Sequence, residues 1–288
     1  MKRVLIIGAL GQLGKSFNCI QDDYTGFKFF LRNKTQLDIT SIKELNKEIN
    51  KNKINIIVNC AAYTDVLKAE KNNAIAMEVN SDGVKNIVEL IQGTSCKLIH
   101  ISTDYVFDGS KTTKYLEDDN VNPINNYGKS KALGEKHILK SNTNSIIIRT
   151  SWLFSEFNNN FVKKIMTLSK TKSEIKVINN QYGTPTYAND LAHFCIKICN
   201  EYEDWNQSIL HFTNWGSTNR YLLAKQVVDQ LKLNCKIIPI NNSDEAELLR
   251  PKNSVLSIEK IDNKLNYIPR RWELALEDCL NKMQLKNK

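Results

Sequence analysis

Tyr127 and Lys131 lie four residues apart in Tyr127-Gly128-Lys129-Ser130-Lys131, a spacing that puts both side chains on one face of a helix. A free phenol, with a pKa of about 10, is a poor acid at neutral pH. An ammonium beside it stabilises the phenolate and brings that pKa down, so Tyr127 could hand a proton to a developing alkoxide. The run Ser102-Thr103-Asp104-Tyr105-Val106-Phe107-Asp108-Gly109 offers hydroxyls where a reacting carbonyl would arrive, with Thr103 helping to hold the oxygen. Taken alone, that run is an ordinary polar exit from a strand. The Tyr/Lys spacing is not unique either, because Tyr24/Lys28 and Tyr221/Lys225 repeat it. Only Tyr127/Lys131 follows a Ser-Thr strand exit inside the alternating part of the chain.

These groups need a scaffold, and the N-terminus supplies its first unit. Val4-Leu5-Ile6-Ile7 breaks into Gly8, Gly11 and Gly14, which reads as a buried strand, a tight turn and a helix start. Gly8 permits the turn, Gly11 lets backbone approach a pyrophosphate, and Gly14 allows close helix–strand packing. The N–H groups opening the helix, near Gln12 and Leu13, then bind the negative charge. Further strands are expected at 27–31, 54–59, 97–101 and 145–149, with helices at 12–20, 41–50, 74–92 and 125–140. This βαβ alternation predicts a Rossmann-type doubly wound parallel sheet of α/β class. Small residues in Cys60-Ala61-Ala62-Tyr63-Thr64, past the third strand, leave room for a ligand at the sheet edge. The second strand ends in Arg32-Asn33-Lys34, with no carboxylate before Asp38. An NAD-selective site places an acid there, whereas Arg32 offers a planar fork suited to a 2′-phosphate. NADPH is therefore the expected cofactor, with NADH still accepted.

The chain has 288 residues, enough for one large α/β domain and a smaller second unit. Residues 1–152 are expected to form the NAD(P)-binding domain, with 158–178 and parts of 209–240 returning to it. The stretches 179–208 and 241–288 are expected to form a substrate-binding lobe. No apolar run is long enough for a membrane span, and the N-terminal run is too short for a signal peptide; a cytoplasmic location is expected. The formal net charge of +9 comes from dispersed lysines with no nucleic-acid recognition motif, and suits small anionic ligands. Seven cysteines without C-x-x-C spacing read as reduced thiols. Cys195 and Cys199 near His193 lack a further ligand at zinc-site spacing, so no metal is expected.

Together these segments resemble the dTDP-4-dehydrorhamnose reductase family of extended short-chain dehydrogenases, over nearly the whole length. The resemblance is carried by Gly11-Gln12-Leu13-Gly14, Leu37-Asp38-Ile39-Thr40, Asn59-Cys60-Ala61-Ala62-Tyr63-Thr64, the runs 102–109 and 127–131, and Arg149-Thr150-Ser151-Trp152. Asn160-Phe161, the run 181–186 and Arg250-Pro251-Lys252-Asn253-Ser254-Val255-Leu256 continue it. It implies Thr103, Tyr127 and Lys131 as a catalytic triad with Asp104 assisting, Lys131 also holding the cofactor ribose. Asp38 and Ile39 would flank the adenine, and Ser102, Ala61, Ala62, Tyr63 and Thr64 would line the cofactor. Trp152, Val106 and Phe107 would face a deoxysugar, and Asn160, Gln181 and Arg250 the nucleotide-diphosphate end. Leu67 stands where the family tends to show aspartate. Lys15 stands where some relatives carry glutamate, so a carboxylate-bound metal between subunits is not supported from there.

The activity implied is hydride transfer to the 4-keto carbon of a dTDP-6-deoxy-hexulose, giving dTDP-L-rhamnose. Other nucleotide-sugar ketoreductases or epimerases, and a non-catalytic NADP-binding regulatory subunit, share the scaffold; a homodimer is left open.

Overall fold

The computed structural model describes residues 1–241 and 249–285. Its centre is a six-stranded sheet in the order Ser208–His211, β5 (Asn144–Thr150), β4 (Lys97–Thr103), β3 (Ile56–Asn59), β1 (Lys2–Ile7) and β2 (Phe27–Arg32). Every neighbouring pair is parallel. The expected doubly wound α/β sheet is therefore present. Chain order reverses between β1 and β3, and Ile7 lies opposite both Asn59 and Arg32. The three strands thus end on one line, at the switch point where open α/β sheets bind ligands.

Both faces of this sheet are covered, which is why its strands read as unbroken apolar runs. Val4, Ile6, Ile56, Val58, Ile99, Ile146 and Ile148 pack with Leu13 and Phe17 on one face. Leu5, Ile7, Ile57, Leu98 and Ile147 pack with Leu45, Val84, Ile87, Ile91 and Ile138 on the other. The helix expected over 74–92 is interrupted. Asn73–Met77 and Gly83–Ile91 are α-helical, while Glu78–Asp82 between them is a π turn. The wide turn brings Asn80 against the Asn126–Leu139 helix, where a Cβ on Gly134 would stand 2.3 Å from the Asn80 carbonyl oxygen. π turns of this kind recur at functional sites.

The late segments divide differently from expectation. Val162, Ile165, Ile175 and Val177 do not return to the sheet; they share a second core with Leu223, Val227, Ile237, Leu276 and Leu280. The strand Lys236–Ile240 likewise pairs with Glu174–Ile178 in a separate two-stranded parallel sheet. Conversely, the Ala188–Glu201 helix, expected in the second lobe, puts Leu191, Phe194, Cys195 and Ile198 into the main core beside Phe17. Amphipathic patterning marks which side of an element is buried, not which core receives it. Only Ser208–His211 rejoins the parallel sheet from the 209–240 stretch. Residues 242–248 and 286–288 of the expected lobe lie outside the described residues. Among the described residues no helix is long and apolar enough to cross a membrane.

Candidate active site

The glycine turn has the geometry its residue types require. Gly8 adopts φ +89°, and a Cβ there would sit 2.7 Å from the Ala61 nitrogen. A Cβ on Gly14 would sit 2.4 Å from the Gly8 carbonyl oxygen. Any larger residue at either position would collide with the backbone of the turn or of the β3 exit. Gly11 opens the Gln12–Ile20 helix without a side-chain cap, which leaves first-turn N–H groups for an anion. The Gly8 and Ala9 N–H groups both donate to the Arg32 carbonyl, at 2.9 and 3.0 Å. This ties the turn to the end of β2. Arg32 itself is engaged: Nε pairs with Glu48 Oε1 at 2.7 Å and Nη1 donates to the Leu31 carbonyl. Asp38 accepts from the Thr40 N–H and hydroxyl, which hold its carboxyl below the usual range. Ile39 is buried against Gly83.

The segment after β3 is fixed by two buried asparagines. Ala61 N–H donates to Asn59 Oδ1 at 3.1 Å. Tyr63 N–H donates to Asn80 Oδ1 at 2.8 Å, and Asn80 Nδ2 donates to both the Tyr63 carbonyl and Ser130 Oγ. Asn80 therefore couples the Ala61–Thr64 wall to the helix that bears Tyr127 and Lys131. That helix is capped by Asn125, whose Oδ1 accepts from the Gly128 N–H at 2.7 Å while Nδ2 donates to the Leu249 carbonyl.

Thr103, Asp104 and Tyr127 come together where β4 ends. Thr103 Oγ1 donates to Asp104 Oδ1 at 3.0 Å and accepts from the Tyr105 N–H. Burial pushes the Asp104 carboxyl up to about 6, against the opposing pull of the Ser254 and Thr103 hydroxyls and the Arg220 charge. Tyr127 is half-buried and edge-on to Tyr105, with ring centroids 5.7 Å apart. Burial raises its pKa, the adjacent Thr103 hydroxyl favours the phenolate, and the Asp104 and Tyr105 charges oppose it. The expected lowering by Lys131 is absent from this balance. Lys131 Nζ instead donates to the Ile101 carbonyl at 2.6 Å and meets His100 Nε2 at 3.2 Å. Burial brings Lys131 down to about 8, against the charges of Glu135 and Cys60. Tyr127 is thus held as a phenol, the form that can donate a proton.

Several residues expected at the ligand are committed to the fold. Val106 and Phe107 are wholly buried, Phe107 stacked on Tyr115 at 4.2 Å between ring centroids. Strand exits that look polar can turn inward within a residue or two, and this one does. Ser102 Oγ donates to Glu135 Oε1, part of a buried bidentate pair with Arg149 at 3.0 and 2.7 Å. Asn160 caps the Phe161–Ser169 helix through Oδ1, while Nδ2 donates to Gln12 Oε1 at 2.9 Å. Gln12 Oε1 also accepts from Ser155 Oγ. These two side chains join the glycine turn to the 155–160 loop. Trp152 is half-buried with φ +46°, Gln181 is buried, and Arg250 Nη1 donates to the Tyr105 hydroxyl at 3.2 Å.

Residues 1–285 match the model of a family described as the RmlD substrate binding domain. The chain belongs to this family. It is 37% identical to the dTDP-4-dehydrorhamnose reductase of Aggregatibacter actinomycetemcomitans, across 96% of this chain and 98% of that protein. A Bacillus anthracis str. Ames dTDP-4-dehydrorhamnose reductase, solved in complex with NADP, superposes with a TM-score of 0.90 at 33% identity, covering 98% and 99% of the two chains. A Clostridium acetobutylicum member matches over the same shares at 35% identity, also with a TM-score of 0.90.

Two residues that the sequence reading did not single out, His100 and Arg220, lie among these groups, beside Arg250. His100 lies behind Lys131, and Arg220 and Arg250 act on Tyr105. Arg220 also acts on Asp104. Arg220 opens the Arg220–Gln230 helix, where a cation opposes the helix dipole. That unfavourable placement is the one clue the sequence carried. His100 reads as one residue of an apolar strand and offered none.

Proposed function

We propose that the chain is an NADPH-dependent dTDP-4-dehydrorhamnose reductase, an oxidoreductase that reduces the 4-keto group of a dTDP-6-deoxy-hexulose in deoxysugar and polysaccharide precursor synthesis. One observation carries the reading: the Tyr127 phenol stands beside Thr103 and Asp104 at the same sheet edge as the glycine cradle. The Gly8 turn suits a dinucleotide, because no Cβ fits where it packs on the β3 exit at Ala61 or where Gly14 packs on Gly8 and Ala9. Gly11 and the first turn of the Gln12–Ile20 helix would hold its pyrophosphate. When bound, NADPH supplies the hydride.

The chain's own residues manage the proton. Tyr127 gives its phenolic proton to the oxygen as it gains charge. Thr103 orients that oxygen by hydrogen bond once its single hydroxyl hydrogen, which points at Asp104 Oδ1 in the free enzyme, turns to the substrate. Lys131 presents a donor to the cofactor ribose from its anchor on the Ile101 carbonyl. Trp152, Gln181, Arg220 and Arg250 form the substrate side, with the two arginines neutralising the diphosphate. The body containing the Phe161–Ser169, Arg220–Gln230 and Trp272–Leu285 helices is the substrate lobe. The test is oxidation of NADPH and of NADH by the purified chain with dTDP-4-dehydrorhamnose and with other nucleotide 4-keto-6-deoxysugars. Turnover fastest with dTDP-4-dehydrorhamnose supports the reading, and NADPH binding without turnover of any 4-keto sugar overturns it in favour of a regulatory subunit.

A further inference from the structure

Side chains tie the segment 152–160 across the glycine turn. Asn160 Oδ1 accepts from the Lys163 N–H as the cap of the Phe161–Ser169 helix, so its Nδ2 is the group that faces Gln12. Gln12 must answer with its oxygen. Its Oε1 accepts from Asn160 Nδ2 at 2.9 Å and from Ser155 Oγ at 2.8 Å, which leaves Nε2 to donate to the Leu153 carbonyl at 3.4 Å. Beside it, Asn158 Nδ2 donates to the Leu10 carbonyl and Lys15 Nζ donates to Asn158 Oδ1, both at 2.7 Å.

The segment carries left-handed backbone at two non-glycine residues, Trp152 at φ +46° and Asn158 at φ +52°. Such a conformation persists only where surrounding contacts hold it. Arg220 lies over the Trp152 ring, and the glycine turn holds Asn158. On the far side, Leu153–Phe154 pairs with Thr186–Tyr187, and Trp152 and Phe161 pack on the second core. Gln12 is also the first residue of its helix, in the turn whose N–H groups would hold a pyrophosphate. One residue thus serves two places. Its backbone belongs to the cofactor turn and its carboxamide to the segment that begins at Trp152.

We infer that the Gln12 side chain is a positioning group for the sugar nucleotide, and that through it cofactor and sugar nucleotide each strengthen the binding of the other. A pyrophosphate on the first-turn N–H groups fixes the Gln12 backbone and with it the aim of the carboxamide. The carboxamide fixes Leu153, Ser155 and Asn160, and so the indole next to Leu153. Whichever ligand binds first bears the cost of ordering the shared segment, and the second binds with less to order. Linkage makes the two gains equal. The sugar nucleotide as second ligand rests on the reductase reading; the link from the cofactor turn to Trp152 needs only the dinucleotide.

The test titrates the full chain with 2′-phospho-ADP-ribose, which keeps the pyrophosphate and lacks the nicotinamide, and with dTDP, which lacks the sugar. Coupling between these fragments passes through the protein, since neither carries the group that would meet the other at the reaction centre. In calorimetry, saturating 2′-phospho-ADP-ribose should lower Kd for dTDP about fivefold or more, and dTDP should lower Kd for 2′-phospho-ADP-ribose by the same factor. Direct repulsion between two anions would have the opposite sign. Gln12→Leu keeps the backbone N–H groups and the bulk of the side chain, and should bring the factor to about twofold or less. Asn160→Ser keeps a capping hydroxyl but is too short for Gln12; it should do the same, and decides where Gln12→Leu does not fold. A purely structural role would lower the melting temperature and leave the factor unchanged, which overturns the inference, as does a wild type without coupling. The second readout is the Trp152 indole signal of chain labelled with 15N-tryptophan, identified among the four tryptophans by Trp152→Phe. 2′-Phospho-ADP-ribose alone should shift it in the wild type and not in Gln12→Leu; no shift in the wild type, or equal shifts in both, overturns the link. That shift pattern with no binding of dTDP would defeat the reductase reading and leave the link from the turn to Trp152 standing.

Discussion

Arg220 sits over Trp152, its guanidinium carbon 3.7 Å from the indole centroid. The contact clamps a bulky residue whose backbone is left-handed, at φ +46°, a conformation that costs about 1–3 kcal/mol outside glycine. Gly183 makes room on another side, because a Cβ there would stand 2.4 Å from indole Cε2. A left-handed aromatic clamped by a cation, packed against the second core just past β5, makes the role proposed for Trp152 in substrate binding open to a direct test.

Trp152→Ala should therefore raise KM for the sugar nucleotide about tenfold, in line with the ~1–2 kcal/mol such ring contacts supply. The melting temperature should stay within a few degrees. Gly183→Ala should reproduce the KM effect with the indole still present, since the ring must move. A melting temperature lowered by about 8 °C or more, equivalent to at least ~2 kcal/mol in a chain of this size, with unchanged KM would assign Trp152 to the core.

Tyr127→Phe keeps the ring and its edge contact with Tyr105 but removes the proton. kcat should fall roughly a hundredfold or more, as for loss of a general acid, with KM for NADPH little changed. Tyr221→Phe removes the hydroxyl of a pair with the same spacing that packs against the second core, and should leave turnover near wild type. Equal kinetics in the two variants would remove Tyr127 from the mechanism.

The parallel sheet was legible because a strand buried on both faces must be apolar along its buried stretch, and Val4–Ile7 and Ile56–Val58 are. The glycine cradle was legible because positive φ and close approach leave few residue choices. Val106 and Phe107 were misread because nothing local distinguishes a loop that lines a cleft from one that folds inward onto Tyr115 and Arg149. Asn160 was ambiguous because an N-cap and a ligand contact favour the same side chain. The partner of Lys131 was invisible: four-residue spacing puts Tyr127 and Lys131 on one helical face, but the lysine stem carries its amine to a carbonyl and an imidazole of β4. Which core receives an amphipathic helix depends on contacts distant in sequence, so the helices could be anticipated and the cores they join could not.

Asp104 gives a pH signature. Its carboxyl is raised to about 6 from the ordinary value near 4, so the folded state binds a proton before the unfolded chain does. Stability from this group then falls as pH rises between those values, and the penalty of the buried charge is complete above the upper one. Asp104→Asn should raise the melting temperature at pH 8 by more than at pH 5, the difference being on the order of 1 kcal/mol or a few degrees. kcat should fall in the same variant because Thr103 loses its charged acceptor. Melting differences that stay constant from pH 5 to pH 8 would exclude a raised Asp104.

Arg32 and Glu48 make cofactor choice a competition. Arg32 ends β2, the strand end from which dinucleotide folds read the adenosine 2′ group, and its backbone carbonyl holds the Gly8–Ala9 turn. Its Nε is paired with Glu48, and the two side chains are only 28% and 15% exposed. A 2′-phosphate must share the guanidinium with that carboxylate, which lies close enough to repel it. Arg32→Ala should raise KM for NADPH about tenfold or more while leaving that for NADH nearly unchanged, since a charged bidentate donor is lost only to the phosphate. Glu48→Gln should act in the opposite sense, lowering KM for NADPH severalfold and strengthening its preference over NADH. Both effects should shrink as ionic strength rises, because the partners are partly solvated. Steady-state kinetics with both cofactors at low and high salt provide the measurement. A Glu48→Gln enzyme whose NADPH preference weakens would show that Glu48 holds Arg32 in place for the phosphate instead of competing with it.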